Sequence, residues 1–144
     1  RALFGGWAAK EAANTDKALA LLDQFGLTEK RGDYAGSLSG GQRKLLEMAR
    51  ALMVDPAVIM LDEPMAGVNP ALTQDLLHHI KALRDEQGKT VVFIEHDMDV
   101  VMDISDWVVC LAEGAVISEG PPEFVSTDSR VIDAYLGSTH GEHA

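Results

Sequence analysis

Two short and almost wholly apolar runs constrain this 144-residue chain more than any other feature. Residues 57–61 read Ala-Val-Ile-Met-Leu, and residues 90–94 read Thr-Val-Val-Phe-Ile. Continuous runs of this length, rich in β-branched residues, are typical of parallel strands that are buried on both faces. A helical pattern lies between the two runs, and strand, helix and strand in this order predict an α/β fold.

Helical periodicity and boundary residues predict the other elements of the chain. We expect a helical portion before the first strand, and a short helix, a hairpin and two helical pieces after the second. The predicted ranges are a short helix from residue 14 or 15 to residue 25, a helix over about residues 41–53, a long helix over residues 69–87, and a hairpin over residues 107–118.

The composition of the chain excludes one class of partner. Its 12 lysine and arginine residues stand against 23 aspartate and glutamate residues, which gives a formal net charge of -11. Binding to a phosphate backbone needs the opposite balance, so we expect no nucleic-acid partner. The apolar stretches are shorter than the roughly 18 residues of a membrane span, so we expect a soluble, cytoplasmic chain without direct membrane insertion. Cys110 lies in an apolar run and is interpreted as a buried thiol.

The pentapeptide Leu-Ser-Gly-Gly-Gln at residues 38–42 directly precedes a predicted helix. Backbone N–H groups at a helix N-terminus, unobstructed where the residue is glycine, suit a phosphate oxygen. Ser39, Gly40, Gly41 and Gln42 are therefore candidate phosphate-binding residues. By itself such a segment is more often an ordinary turn and helix cap.

An acidic pair, Asp62 and Glu63, follows the first apolar run. Ligands bind at the carboxyl ends of the strands of parallel α/β sheets, so both side chains are well placed for chemistry. Asp62 is a candidate ligand of Mg²⁺, which prefers few carboxylates and keeps much of its water. Glu63 is a candidate general base for an attacking water. A surface turn that happens to be acidic is the alternative.

His96 follows the second apolar run in the same way. An imidazole at the end of a strand can hydrogen-bond a terminal phosphate and orient water. A purely structural histidine is the alternative. Four other histidines have no such context and are interpreted as solvated; they are His78, His79, His140 and His143.

Taken together, these segments resemble the ATP-binding cassette (ABC) family. Residues 38–42 match its signature motif LSGGQ, residues 58–63 match its Walker B strand, and His96 matches its switch histidine. The resemblance implies the C-terminal part of an ABC-type P-loop NTPase fold. That part is a mostly parallel sheet with flanking helices, a portion of the helical subdomain over residues 1–55, and the remaining core with its hairpin over residues 56–144.

The resemblance also implies cofactors and partners. In this family two ATP-binding subunits pair head to tail and each ATP, with Mg²⁺, lies between them. Ser39, Gly40, Gly41 and Gln42 would then contact the nucleotide held mainly by the second subunit, whereas Asp62, Glu63 and His96 would act on the chain's own nucleotide. Transmembrane permease subunits are further expected partners, which places the chain at the inner face of the cell membrane.

Asn69 stands where the family usually has an aspartate, so its role across the interface is a weaker expectation. This variant, together with the Glu-His-Asp-Met sequence at residues 95–98 and the sequence at residues 131–137, resembles the subgroup that imports branched-chain amino acids. Two alternatives stay open. One is an ABC-superfamily ATPase outside transport, and the other is a non-catalytic module that carries the signature.

The phosphate-binding motif G-x-x-x-x-G-K-[ST] does not occur in the sequence. We therefore expect the chain by itself neither to bind ATP tightly nor to hydrolyse it, because that loop supplies much of the affinity for the phosphates. We also expect its sheet to expose apolar surface, which favours self-association.

Overall fold

The computed structural model describes the backbone of residues 2–136 and the side chains of residues 6–135. Ten α-helices and β-strands follow one another in this part of the chain, beside short 3-10 and π-helical turns. They are α1 (Ala2–Gln24), α2 (Gly40–Leu52), β1 (Val58–Asp62), α3 (Pro70–Asp85), β2 (Thr90–Ile94), α4 (Met98–Ile104), β3 (Val108–Ala112), β4 (Ala115–Gly120), α5 (Pro122–Val125) and α6 (Ser129–Val131). Within these residues no helix is both long and apolar enough to cross a bilayer.

The chain divides into two compact units, residues 1–94 (the first unit) and residues 95–144 (the second unit). The family resemblance implies a different division, with the helical subdomain over residues 1–55 and the ATPase core over residues 56–144. That division refers to a complete cassette and stays a prediction.

The first unit contains the predicted strand, helix and strand. β1 and β2 pair in parallel, with Val58 opposite Thr90 and Asp62 opposite Ile94. The crossover helix α3 begins as predicted, because Asn69 accepts a hydrogen bond from the Leu72 amide at 3.0 Å and Pro70 occupies the first turn. Residues 90–94 therefore return beside residues 58–62, and the α/β prediction is confirmed.

The prediction that both strands are buried on both faces is wrong in the described structure. Ile59 is buried, but the alternate side chains Val58, Met60, Val92 and Ile94 are exposed, with 78% of Met60 accessible. These four side chains form what we call the open face of the β1–β2 pair. Helix α3 contacts β2 and buries its own apolar side chains, but it leaves these four side chains accessible. The expected apolar exposure of the sheet is therefore present.

Helix α1 differs from the prediction at its start. It runs from Ala2 instead of residue 14 or 15, and Thr15 does not cap it but donates a hydrogen bond from Oγ1 to the Glu11 carbonyl at 2.9 Å. The alanine-rich sequence before Thr15 has a high helix propensity and lets the helix continue. Its predicted end is confirmed, since Gly26 has a φ of +65°.

His79 is also not solvated as predicted. It lies on α3 with its ring centroid 4.5 Å from that of Phe25, which is 2% exposed. Burial, with a smaller contribution from the charge of His78, lowers the pKa of His79, while Asp75 acts in the opposite direction. His78 is exposed, as predicted, and His140 and His143 lie outside the described residues.

The second unit contains the predicted hairpin of β3 and β4. Glu113 and Gly114 connect the strands with φ values of 50° and 79°, as a type I′ turn requires. Val108, Cys110, Val125 and Val131 form a buried cluster in this unit. Cys110 is thus the buried thiol that we predicted, and burial raises its pKa, which keeps it protonated and unreactive.

Candidate functional site

The segment that contains residues 38–42, here called the signature turn, begins helix α2 with a capping box. Ser39 Oγ accepts a hydrogen bond from the Gln42 amide at 3.2 Å, and Gln42 Oε1 accepts one from the Ser39 amide at 3.0 Å. Arg43 donates from its guanidinium to the Leu38 carbonyl. These bonds connect residues that are close in sequence, so the turn is held mainly by its own chain segment.

The two glycines of the signature turn have different surroundings. Both amides lie in the first turn of α2 and have no acceptor within the helix. A Cβ at Gly40 would meet only an Arg43 nitrogen at 3.9 Å, whereas a Cβ at Gly41 would lie 1.5 Å from Leu72 Cδ2. Gly40 therefore faces open space, and Gly41 permits close packing of α2 against the start of α3.

Asp62 and Glu63 lie where the sequence placed them, at the carboxyl end of β1, and both are exposed. Glu63 has a φ of 42°, in the left-handed region that residues with a side chain seldom adopt. Its amide donates to the Ile94 carbonyl at 3.0 Å, and its carbonyl accepts from the Ala66 amide at 3.0 Å. Residues 62–66 are called the Glu63 turn below.

His96 and Asn69 are both exposed and belong to different units. His96 follows β2 by two residues and precedes Asp97, which caps α4 by accepting from the Asp99 and Val100 amides. Asn69 caps α3, and its side-chain oxygen is already engaged by Leu72. A capping role for Asn69 is therefore present in the structure independently of any role across an interface.

One residue that the sequence interpretation missed connects the two turns of the first unit. Lys44, on the polar face of α2, lies with Nζ 3.5 Å from the Glu63 carbonyl oxygen. Together with the contact between Gly41 and Leu72, this brings the signature turn, the Glu63 turn and the first turn of α3 into one neighbourhood. Helical periodicity gave no signal for the Lys44 contact, because the contact joins α2 to a residue 19 positions along the chain.

The chemistry of the carboxylates fits a magnesium ion with few protein ligands. Residues 2–136 contain no group of three or more histidine, cysteine, aspartate or glutamate side chains that could enclose a metal. Mg²⁺ needs no such group, since one carboxylate, phosphate oxygens and water complete its octahedron. Asp62, exposed at the end of a parallel strand, is a suitable single ligand.

Comparison with known proteins identifies the family. A family model described as ABC transporter matches residues 2–66, and one described as branched-chain amino acid ATP-binding cassette transporter matches residues 115–141. An ATP-binding cassette of an ABC transporter, solved in its ADP conformation, superimposes with a TM-score of 0.78 at 37% identity, over 87% of this chain and 50% of that one. The chain belongs to the ATP-binding cassette family.

Relatives in the ABC family carry transport names. The BraF protein of Pseudomonas aeruginosa, a high-affinity branched-chain amino acid transport ATP-binding protein, is 47% identical over 81% of this chain and 46% of its own length. The LivG protein of Escherichia coli, named in the same way, is 40% identical over 85% and 48% respectively. A nucleotide-free cassette matches with a TM-score of 0.79 at 36% identity, over 92% of this chain and 54% of that one. The chain thus spans about half the length of the curated relatives it matches.

The matched ranges divide the candidate residues of this ABC chain. The region that matches the ABC transporter model contains the signature turn, Asp62 and Glu63. Asn69 and His96 lie between the two matched regions.

Proposed function

We propose that this chain provides the signature turn and the hydrolytic residues of the ATP-binding subunit of an importer for branched-chain amino acids. The observation that carries the proposal is the conjunction, in one compact unit, of an exposed glycine turn at a helix N-terminus and an acidic pair at the end of a parallel strand. The names of the relatives favour transport over the alternative of an ABC ATPase with another task.

Binding of phosphate by the signature turn is supported by the donors that it presents. The Gly40 and Gly41 amides lack intrahelical acceptors, and the Ser39 hydroxyl accepts one bond and keeps its proton to donate. The N-terminal end of the helix dipole adds a favourable field for an anion. In our proposal Ser39, Gly40, Gly41 and Gln42 bind the triphosphate held by a second ATP-binding subunit, and Asn69 faces the same interface.

Hydrolysis is assigned to the residues that follow the two strands. Bound Mg²⁺ would neutralise charge on the ATP phosphates, with Asp62 as its protein ligand. The Glu63 carboxylate accepts the proton of the attacking water, and His96 donates a hydrogen bond to a terminal phosphate oxygen. Each residue in this scheme is exposed, as access to a nucleotide requires.

The remaining parts of the assembly follow from the proposed task. The intact cassette is the protein in which this chain works with a phosphate-binding loop, paired with a second ATP-binding subunit. Transmembrane permease subunits would place that pair on the cytoplasmic face of the membrane. Recognition of the amino acid would belong to these other subunits, since the residues assigned in this proposal act on phosphate and water.

The experiment that tests the proposal is the substitution Glu63→Gln in the intact cassette. An amide cannot take a proton from water, so turnover is expected to fall at least about 100-fold while ATP binding persists. Glu113→Gln is a matched control, because Glu113 is also an exposed glutamate at a positive φ but lies in the hairpin turn. Undiminished turnover in Glu63→Gln would remove Glu63 from the role of base.

A further inference from the structure

The Glu63 turn is held from two directions by residues that lie far from it in sequence. On one side the Glu63 amide donates to Ile94 at the end of β2. On the other side the Glu63 carbonyl accepts from the Ala66 amide and from Lys44 Nζ, which extends from α2. Ile94 and Lys44 thus link the backbone of Glu63 to β2 and to α2.

The conformation of Glu63 makes these contacts important. A φ of 42° is unfavourable for a residue with a Cβ and persists where the surroundings hold it. The side chain of Glu63 leaves the backbone at this residue, so a rotation of its peptide units redirects the carboxylate. A cation bonded to the Glu63 carbonyl therefore acts on the direction of the proposed base without touching the reacting atoms.

Lys44 is joined to the signature turn by the helix that carries both. It lies two residues after Gln42 on α2, and the N-terminal turn of this helix packs at Gly41 against Leu72 of α3. A helix of thirteen residues moves largely as one body, so a displacement of the signature turn is transmitted to Lys44. The same displacement would strain the Gly41–Leu72 contact, which limits the directions open to α2.

We propose that Lys44 is a positioning residue that couples the signature turn to the orientation of Glu63 within one chain. When the signature turn binds the triphosphate of the second subunit, α2 is fixed, and Lys44 then holds the Glu63 carbonyl in the geometry that aims the carboxylate at water. This inference rests on the proposed function and adds a link between the nucleotide of one subunit and the catalytic base for the other.

The structural part of the test uses the chain itself. In the wild type, nuclear Overhauser contacts are expected between the ε-methylene protons of Lys44 and the protons of Glu63 or Pro64. In Lys44→Met, hydrogen exchange of the Ala66 amide is expected to become about two- to tenfold faster. This factor corresponds to the net free energy of one hydrogen bond. Absence of the Overhauser contacts, or unchanged exchange at Ala66, would refute the link.

The kinetic part compares four variants of the intact cassette. Lys44→Met is expected to lower kcat about two- to tenfold with the KM for ATP unchanged, and Lys44→Arg to restore most of it, since arginine retains a donor. Lys10→Met, an exposed lysine on α1, is the matched control and should leave kcat unchanged. Glu63→Gln reports separately on the proposed function.

The outcomes separate the two ideas. If Glu63→Gln abolishes turnover while Lys44→Met keeps the wild-type kcat, the coupling role is wrong and the proposed function stands. A loss in Lys44→Met that arginine does not restore, or that appears as a raised KM, also contradicts a positioning role for the cation. If Glu63→Gln turns over ATP at the wild-type rate, Glu63 is not the base. The proposed function is then wrong, and so is the coupling that rests on it.

Discussion

The signature turn and the Glu63 turn both present exposed polar side chains, Ser39 in the first and Asp62 and Glu63 in the second, but they are held in different ways. The signature turn is closed by the capping box of Ser39 and Gln42, whose bonds span three residues. The Glu63 turn adopts an unfavourable φ and depends on Ile94 and on Lys44, which is 19 residues away. The hydrogen bonds of the first turn are therefore local, whereas those of the second also reach residues of β2 and α2.

This difference agrees with the different tasks proposed for the two turns. A phosphate-binding helix N-terminus works through backbone amides, whose directions the helix itself fixes. A general base works through a side chain, and the orientation of that side chain depends on the contacts that hold its backbone. A turn fixed by neighbouring elements can also respond to them, which a self-contained turn cannot.

The largest effect on stability is expected for Gly41→Ala, which tests how far the signature turn depends on a tertiary contact. A Cβ at this position meets Leu72 at 1.5 Å, so the free energy of unfolding should fall by about 1–3 kcal/mol, the usual range for overpacking. Urea denaturation measures it. The double variant with Leu72→Ala should recover part of the loss, and a neutral Gly41→Ala would show that the packing is loose.

The next effect is expected for Ser39→Ala, which removes the N-cap of α2. The free energy of unfolding should fall by about 1 kcal/mol, because the Gln42 amide loses its acceptor. Gln42→Ala removes only the returning bond and should cost less. Equal and negligible effects in both variants would mean that the signature turn is held by its tertiary contacts after all.

A smaller effect of opposite sign is expected for Glu63→Gly. Glycine adopts positive φ without penalty, so the free energy of unfolding should rise by about 0.5–1 kcal/mol after its greater chain entropy is counted. Glu47→Gly is the control on α2, where the same change should destabilise by about 1 kcal/mol. A destabilising Glu63→Gly would show that the side chain itself holds the turn.

The smallest effect on stability is expected when acid protonates Asp55, which lies just before β1, at the end opposite to the Glu63 turn. Lys89 donates to Asp55 at 2.7 Å and holds the pKa of that carboxyl below its ordinary value of 3.8. A lowered pKa in the folded state contributes stability above about pH 3.8, and this contribution is lost as the pH falls through the folded value.

Asp55 is exposed, so the change should be slight. It is measured as the difference in urea midpoint between about pH 7 and about pH 3, and it should shrink in Asp55→Asn. An unchanged pH dependence in Asp55→Asn would contradict the ion pair.

The elements that sequence predicted well are those with local signals. Asn69 and Pro70 begin α3, Gly26 ends α1, and Gly114 completes the hairpin turn, each by a preference of the residue itself. The start of α1 was missed because a possible cap at Thr15 was weighed above the helix propensity of the alanines before it. His79 was misjudged because its neighbour Phe25 comes from another helix.

The sequence by itself determined the order of helices and strands, the signature turn and the acidic pair at the end of β1, since each depends on contacts between residues close in the chain. Tertiary structure alone decided that only one face of the β1–β2 pair is covered, that Gly41 packs against Leu72, and that Lys44 reaches the Glu63 carbonyl. These features join elements far apart in sequence, and no local pattern encodes which surfaces meet when the chain folds.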